Sequence, residues 1–319
     1  MDLPKIHSIT KKIMVALLGG FLLIFLLFHA TANLFILRHD GGEWYSAFCH
    51  FMGTNWIVKV FEIVLLGAIA LHILLTLWLA LTNRLARPVR YHKAQRSKTH
   101  TTSKLMVWTG ILIFVCLLLH FSDFYFVKLG WVKGEYMVKT EKLQDQEIMQ
   151  MVQYAQQMQM TPEEMLNAIE EESMMYADEN DDNSETLNFI ANMRAKLDVI
   201  DILERAYTEG NISDDGKWIR HLTYDERQTL RKALPESDPE PDLYYMAREK
   251  FSSLYLVVMY LLFFVVVFFH MRHAFPSAFQ TLGLNNYKYN NIIEMLGRLF
   301  AWVVCLMFAA VPILVYLGL

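Results

Sequence analysis

The chain has 319 residues, 54% of them hydrophobic and 19% charged, with a net charge of −4. The apolar residues are gathered into long uncharged runs, which excludes an ordinary soluble domain; no segments of about ten residues alternate in polarity, which excludes a transmembrane β-barrel. Three cysteines without a CxxC pair exclude a disulfide framework, a zinc ribbon or an iron–sulfur ligand set, and no GxGxxG or GxxxxGK[ST] loop is present to hold a nucleotide.

The first predicted element is Ile13–Leu37, 25 residues without a charge. A bilayer crossing needs roughly 20. A signal peptide has an apolar core of only about 7–15 residues and a small-residue cleavage site, so this run reads as a retained span. Ile57–Thr82 is the second, charged only at Lys59 and Glu62 near its start. The segment Asn83–Lys104 then carries Arg84, Arg87, Arg90, Lys93, Arg96, Lys98 and Lys104 and no acid. Leu105–Val127 is the third span, with Asp123 its one charge.

Gly134–Lys250 is different material. It holds 12 Lys and Arg against 27 Asp and Glu, a net −15, whereas the rest of the chain is net +11. It reads as helical. Thr161-Pro-Glu-Glu164 and Thr223-Tyr-Asp-Glu226 are capping boxes. Ile190, Leu197, Ile200 and Leu203 recur at helical spacing in a run that starts at Ser184. Pro235, Pro239 and Pro241 mark the return to the membrane. Phe251–Met271 and Ile292–Leu319 are the fourth and fifth spans. The expected fold is therefore an all-α membrane bundle of five helices with a large acidic helical insert. Residues 1–130 hold helices one to three, 131–250 the insert, and 251–319 helices four and five.

Orientation follows from the basic loops. Asn83–Lys104 should be cytoplasmic, and Lys5, Lys11 and Lys12 put the N-terminus on the same side. The insert and the C-terminus are then external. Long translocated domains do not obey the charge rule, so the acidity of the insert does not bear on this.

Of the 11 histidines, His7, His39, His50, His92, His100 and His221 fall in loops or near the surface and read as solvated. His29, His72, His120 and His270 each lie in a separate apolar helix. An imidazole in hydrocarbon is costly without a partner, and four in four helices make accidental polar contacts a weak account. Depth sorts them. His29 and His120 lie eight and seven residues from the outer ends of their runs, roughly 10–12 Å. His72 and His270, on helices running inward, belong to an inner layer. Two stacked pairs of imidazoles suggest two six-coordinate haems with bis-histidine ligation. Structural zinc would want four ligands on one point, which two layers cannot supply. The inner pair meets only if helix four continues past Arg272, whose side chain then snorkels or pairs with a haem propionate. His273 follows Arg272 and is a second candidate for a propionate contact. One iron cannot accept both His270 and His273, because its two axial positions lie on opposite faces of the macrocycle.

The chain resembles the five-helix, dihaem cytochrome b subunit, of the cytochrome b558 type, that anchors succinate dehydrogenases and fumarate reductases. The resemblance covers residues 5–130 and 250–319. It is carried by KKIMVALLGGFLLIFLLFHATANL, by EIVLLGAIALH, by TGILIFVCLLLHF and by HMRHAFPSAFQTLGL. In the last motif the family's ligand precedes the glycine by thirteen positions, and counting back from Gly283 gives His270. The resemblance implies haem b held by His29 with His120 (outer) and by His72 with His270 (inner), the pairing that depth gives. It also implies partner subunits carrying flavin, iron–sulfur clusters and the dicarboxylate site, with membrane quinone, by family habit menaquinone, as the electron partner. The setting would be a bacterial cytoplasmic membrane, with lipid around the bundle and no nucleic-acid partner.

Quinone chemistry moves protons, and Glu43, Glu62 and Asp123 are the carboxyls at the outer end. Asp123 is three residues past His120; Glu62 is three past Lys59, so an ion pair competes there. The basic loop Asn83–Lys104 is a candidate dock for the iron–sulfur subunit, or simply the cytoplasmic charge signal. Two departures stand out. The family's loop between helices three and four is short. Some relatives also place a glutamate for proton movement two residues before the helix-four ligand, where this chain has Phe268. Other readings are the cytochrome of another quinone-linked dehydrogenase or hydrogenase, and a non-redox transporter with histidines along its path. Broken, proline-interrupted spans would favour the transporter, and Pro312 is the one interior proline of the expected spans.

Overall fold

The computed structural model describes residues 8–86, 101–143, 146–175 and 184–319. Among them five helices are long and apolar enough to cross a membrane: Ile9–Leu37, Trp56–Leu85, Leu105–Lys128, Leu254–Thr281 and Asn290–Tyr316. They mark a multi-pass membrane protein. The chain divides into two compact units, Met1–Asp123 with Ala247–Leu319, and Phe124–Met246.

In the first unit, helix four packs against helices one, three and five, and helix one against helices two, four and five. Small residues allow the approach. Ala30 and Ala301 are fully buried in a cluster with Val267, Met271, Val304 and Cys305. A methyl on Gly297 of helix five would lie 3.0 Å from the Phe275 ring of helix four. The outward side chains are apolar as well: Ile24, Ile63 and Trp108 are each at least 70% exposed. In water such a surface would be an aggregation liability; in hydrocarbon it is the solvated face.

Helix four differs from the expected span. It does not end at Met271 but runs Leu254–Thr281, ten residues further. A charge count stops at Arg272, whereas a helix stops only where its backbone is capped, and a long cationic side chain can reach polar surroundings from inside a span. The end falls at Gly283, whose φ of 79° is the left-handed conformation that glycine favours, with Leu284 N–H donating to the Phe279 carbonyl at 2.9 Å. The extension takes in Pro276, so Pro312 is not the one proline inside a span. Lacking an N–H, Pro276 leaves the Arg272 carbonyl without its intrahelical donor.

Two other features were not expected. A short helix, Glu43–Thr54, lies between helices one and two, entered through Gly41 and Gly42, both at positive φ. Helix three passes after His120 into a π-helical stretch, Phe121–Tyr125, which contains Asp123.

The second unit is not purely helical. Three antiparallel strands, β1 (Tyr136–Lys139), β2 (Trp218–Leu222) and β3 (Glu240–Pro241), form a sheet in the order β2-β1-β3. Val138 pairs with Ile219 and Tyr136 with Pro241. Strands of two to five residues are too short for polar alternation to register, and Arg220 and His221 interrupt the apolar pattern of β2. Helices Gln146–Gln157, Pro162–Met175, Ser184–Glu209 and Tyr224–Ala233 make up most of the remainder. Both capping boxes form: Glu164 N–H donates to Thr161 Oγ1 and Thr161 N–H to Glu164 Oε2, with the same reciprocal bonds at Thr223 and Glu226. Ile190, Ile202, Val199 and Leu230 are buried, the last two against Tyr136, Val138 and Ile219 of the sheet.

This unit should be pH-sensitive. Burial, reinforced by the negative charge of Asp238, pushes the Glu240 carboxyl from 4.5 up to about 7. His221 is held above its ordinary 6.5, chiefly by its 2.9 Å hydrogen bond to the Glu135 carboxylate, against the effect of burial. For Glu240 the folded state keeps a proton that the unfolded chain has lost, so stability falls as pH rises from 4.5 to about 7. For His221 the contribution is complete below 6.5 and is lost as pH rises through the folded value. Both act in one direction. Hydrogen exchange at the β2 amides of the full chain, corrected for intrinsic rates, is expected to show protection weaker by about 2 kcal/mol at pH 8 than at pH 5. Glu240→Gln should remove most of that difference; equal or stronger protection at pH 8 in the wild type would contradict it.

Candidate functional site

The four intramembrane histidines fall at two levels of the bundle. At the first, His29 of helix one faces His120 of helix three, with ring centroids 6.0 Å apart and planes at 77°. Aromatic rings enclose them: Phe25 stacks on His29 at 5.3 Å, Phe308 of helix five lies 5.7 Å from it, and Tyr260 of helix four lies 6.3 Å from His120. Asn33, one turn beyond His29, donates to the His29 carbonyl at 3.0 Å, and its Nδ2 is 3.4 Å from Nε2 of the ring. The buried Tyr45 of the short helix donates to Asn33 Oδ1 at 3.2 Å.

At the second level, His72 of helix two lies against Gly19 of helix one, where a methyl would be 3.5 Å from its Cε1. His270 of helix four lies against Thr109 and Gly110 of helix three. The two imidazoles are within electrostatic reach of each other, and His273 is within reach of His270. Gly19 precedes His29 by ten residues and Gly110 precedes His120 by ten, so both helices separate the levels by about 15 Å.

The donor set suits a group that needs only two protein ligands. Among the described residues no three His, Cys, Asp or Glu side chains converge on one point. A haem iron takes four ligands from its macrocycle and two from the protein. Two imidazoles bonded to one metal from opposite sides, at about 2 Å each, have ring centres about 6 Å apart, which is the separation of His29 and His120. At the other level, the Val15 backbone lies near the His72 ring, but His72 Nδ1 is buried without a partner at hydrogen-bonding geometry among the described residues.

The remaining candidates are dispersed. Arg272 and His273 are half-buried on helix four, within the span. Asp123 is engaged: it accepts from Lys250 Nζ at 3.0 Å and from Tyr260 Oη at 2.9 Å, tying the end of helix three to the start of helix four. Glu62 is half-buried near the start of helix two, and Glu43 lies in the first turn of the short helix. Phe268, where some relatives of the resembled family have a glutamate, packs on Trp302 of helix five. An apolar cavity of about 450 Å³ opens among helices one, four and five, lined by Ala16, Gly20, Leu23, Phe275 and Phe279 among others. Most of the basic loop, from Arg87 to Lys98, lies outside the described residues, as do His7, His92 and His100.

Sequence reasoning missed Tyr45, Thr109, Lys250 and Tyr260 as parts of this arrangement. Spacing offered a signal only for Asn33, one turn after His29; the others arrive from different helices. Fold and site together define a class: a five-span membrane bundle holding paired histidines at two depths. Comparison with known protein families, curated proteins and solved structures returns no match.

Proposed function

We propose that this chain is the dihaem cytochrome b anchor of a succinate dehydrogenase or fumarate reductase in a bacterial cytoplasmic membrane. The observation that carries the reading is the sorting of four intramembrane histidines into two levels, each drawing one histidine from each of two helices. His29 and His120 would hold one haem b, and His72 and His270 the other. The chemistry bound haem supplies is one-electron transfer at a six-coordinate iron. The chain's own part is to hold each imidazole in place, to exclude water with five apolar helices, and to set the two levels about 15 Å apart. Arg272 and His273, past His270 on helix four, are candidates for the propionates of that haem.

Flavin, iron–sulfur clusters and the dicarboxylate site belong to partner subunits in this reading, and electrons pass between the iron–sulfur partner and a membrane quinone such as menaquinone. Glu43, Glu62 and Asp123 are the candidates for proton exchange with quinone, Asp123 being held by Lys250 and Tyr260. The basic segment after Arg84 faces the cytoplasm with the N-terminus, and the insert and C-terminus are external. A transporter reading gains one point from Pro276 inside helix four, but the helix continues through it.

The test is the reduced-minus-oxidised spectrum and haem content of the purified chain. Two b-type haems per chain are expected. A chain that folds in the membrane without haem would end the cytochrome reading and favour the transporter.

A further inference from the structure

The Thr109 hydroxyl of helix three sits between two groups: the Met106 carbonyl at 3.0 Å and Nδ1 of His270, on helix four, at 3.1 Å. A hydroxyl has one proton to donate and lone pairs to accept with. If it donates to the Met106 carbonyl, the back-bond common for threonine inside a helix, it can only accept from His270, whose proton must then be on Nδ1. Nε2 is left with a bare lone pair. In the opposite arrangement Thr109 donates to Nδ1, and the imidazole proton moves to Nε2. Thr109 is the one hydrogen-bond partner of His270 among the described residues, so an Nε2–H would be left unsatisfied in an apolar bundle. The first arrangement satisfies every donor; the second strands one.

We infer that Thr109 is a positioning residue for His270: it fixes the Nδ1–H tautomer across the helix three–helix four contact and so presents Nε2 as a metal-ready donor. A methyl at the neighbouring Gly110 would lie 3.6 Å from His270 Cε1, an ordinary van der Waals distance, so helices three and four are in close contact at this point. A partner that accepts the second ring N–H of a ligating histidine fixes its orientation and raises its basicity. Helix three therefore serves both levels, supplying His120 to one and the orienting hydroxyl to the other. The ligand role of His270 rests on the function proposed above; the tautomer does not.

Thr109→Val keeps the shape and removes the acceptor, while Thr109→Ser keeps the acceptor. In the full chain, Thr109→Val is expected to retain two haems. The midpoint potential of one should rise, because a less basic ligand stabilises the oxidised iron less, and one of the two low-spin resonance signals should shift. Thr109→Ser should match the wild type. Unchanged potentials and signals in Thr109→Val, or a Thr109→Ser variant that behaves like it, would overturn the assignment. Nitrogen-15 shifts of His270 in the haem-free wild-type chain provide an independent readout, which also covers a Thr109→Val variant that does not fold. Protonated Nδ1 is expected, and protonated Nε2 would overturn the inference. A wild type that binds no haem would defeat the proposed function, yet the nitrogen shifts would still decide the tautomer.

Discussion

Replacing His120 by alanine is expected to remove or convert one of two haems and to leave the other largely in place. The reason is separation. His120 meets His29 at 6.0 Å between ring centres, whereas His270 and His72 lie about ten residues away along helices one and three, about 15 Å. Alanine in place of any of His29, His72, His120 or His270 should therefore affect one level only. His273→Ala is the internal control. His273 is within electrostatic reach of His270, but on a helix three residues apart point about 60° away from each other, and one iron cannot take both. That variant should keep both haems and at most shift one potential. Haem content and redox titration read all five variants. Two unchanged haems in His120→Ala, or haem loss at His273 rather than His270, would refute the pairing.

The second large effect is expected in the insert. Arg220 of β2 and Asp242 are 3% and 0% exposed, 3.7 Å apart, and the arginine also lies over the Tyr245 ring at 5.3 Å. Asp242 Oδ1 accepts from the Tyr245 N–H at 3.2 Å, capping the helix Leu243–Phe251. Removing one partner of a buried pair strands the other, at about 3–5 kcal/mol. Asp242→Ala strands a guanidinium that cannot shed its proton, so lowering the pH cannot relieve that burial cost. Arg220→Met strands a carboxyl that burial already pushes upward. That carboxyl can take a proton and become neutral, so this variant should be distinctly milder at pH 5 than at pH 8. Hydrogen exchange across residues 212–246 of the full chain measures both. Losses below about 1 kcal/mol, typical of an exposed pair, would show that the charges are not buried in solution.

What could be read from residue order was whatever depends on local composition. Runs such as Ile13–Leu37 are legible because a bilayer selects for length and apolarity, not for any distant partner. The capping boxes at Thr161 and Thr223 are legible because their donors and acceptors lie within four residues. The four histidines are conspicuous for the same local reason: each is a polar group in an uncharged run.

What depends on distant partners was decided by the fold. The extent of helix four is one case: Arg272 looks like a boundary, yet the backbone stays helical until Gly283 supplies a left-handed residue. The sheet is another, since β1 (Tyr136–Lys139) pairs with β2 (Trp218–Leu222) and β3 (Glu240–Pro241), both far along the chain, and none is long enough to show a period. Asp123 is a third. Alone it reads as a free carboxyl beside His120, but Lys250 and Tyr260, more than 120 residues later, engage both its oxygens. The residue types and the apolar runs that carry them were set by the sequence alone. The partner of each polar group was set only by tertiary packing, because a hydrogen bond between helices is specified by which faces meet, and that information is not local to either segment of the chain.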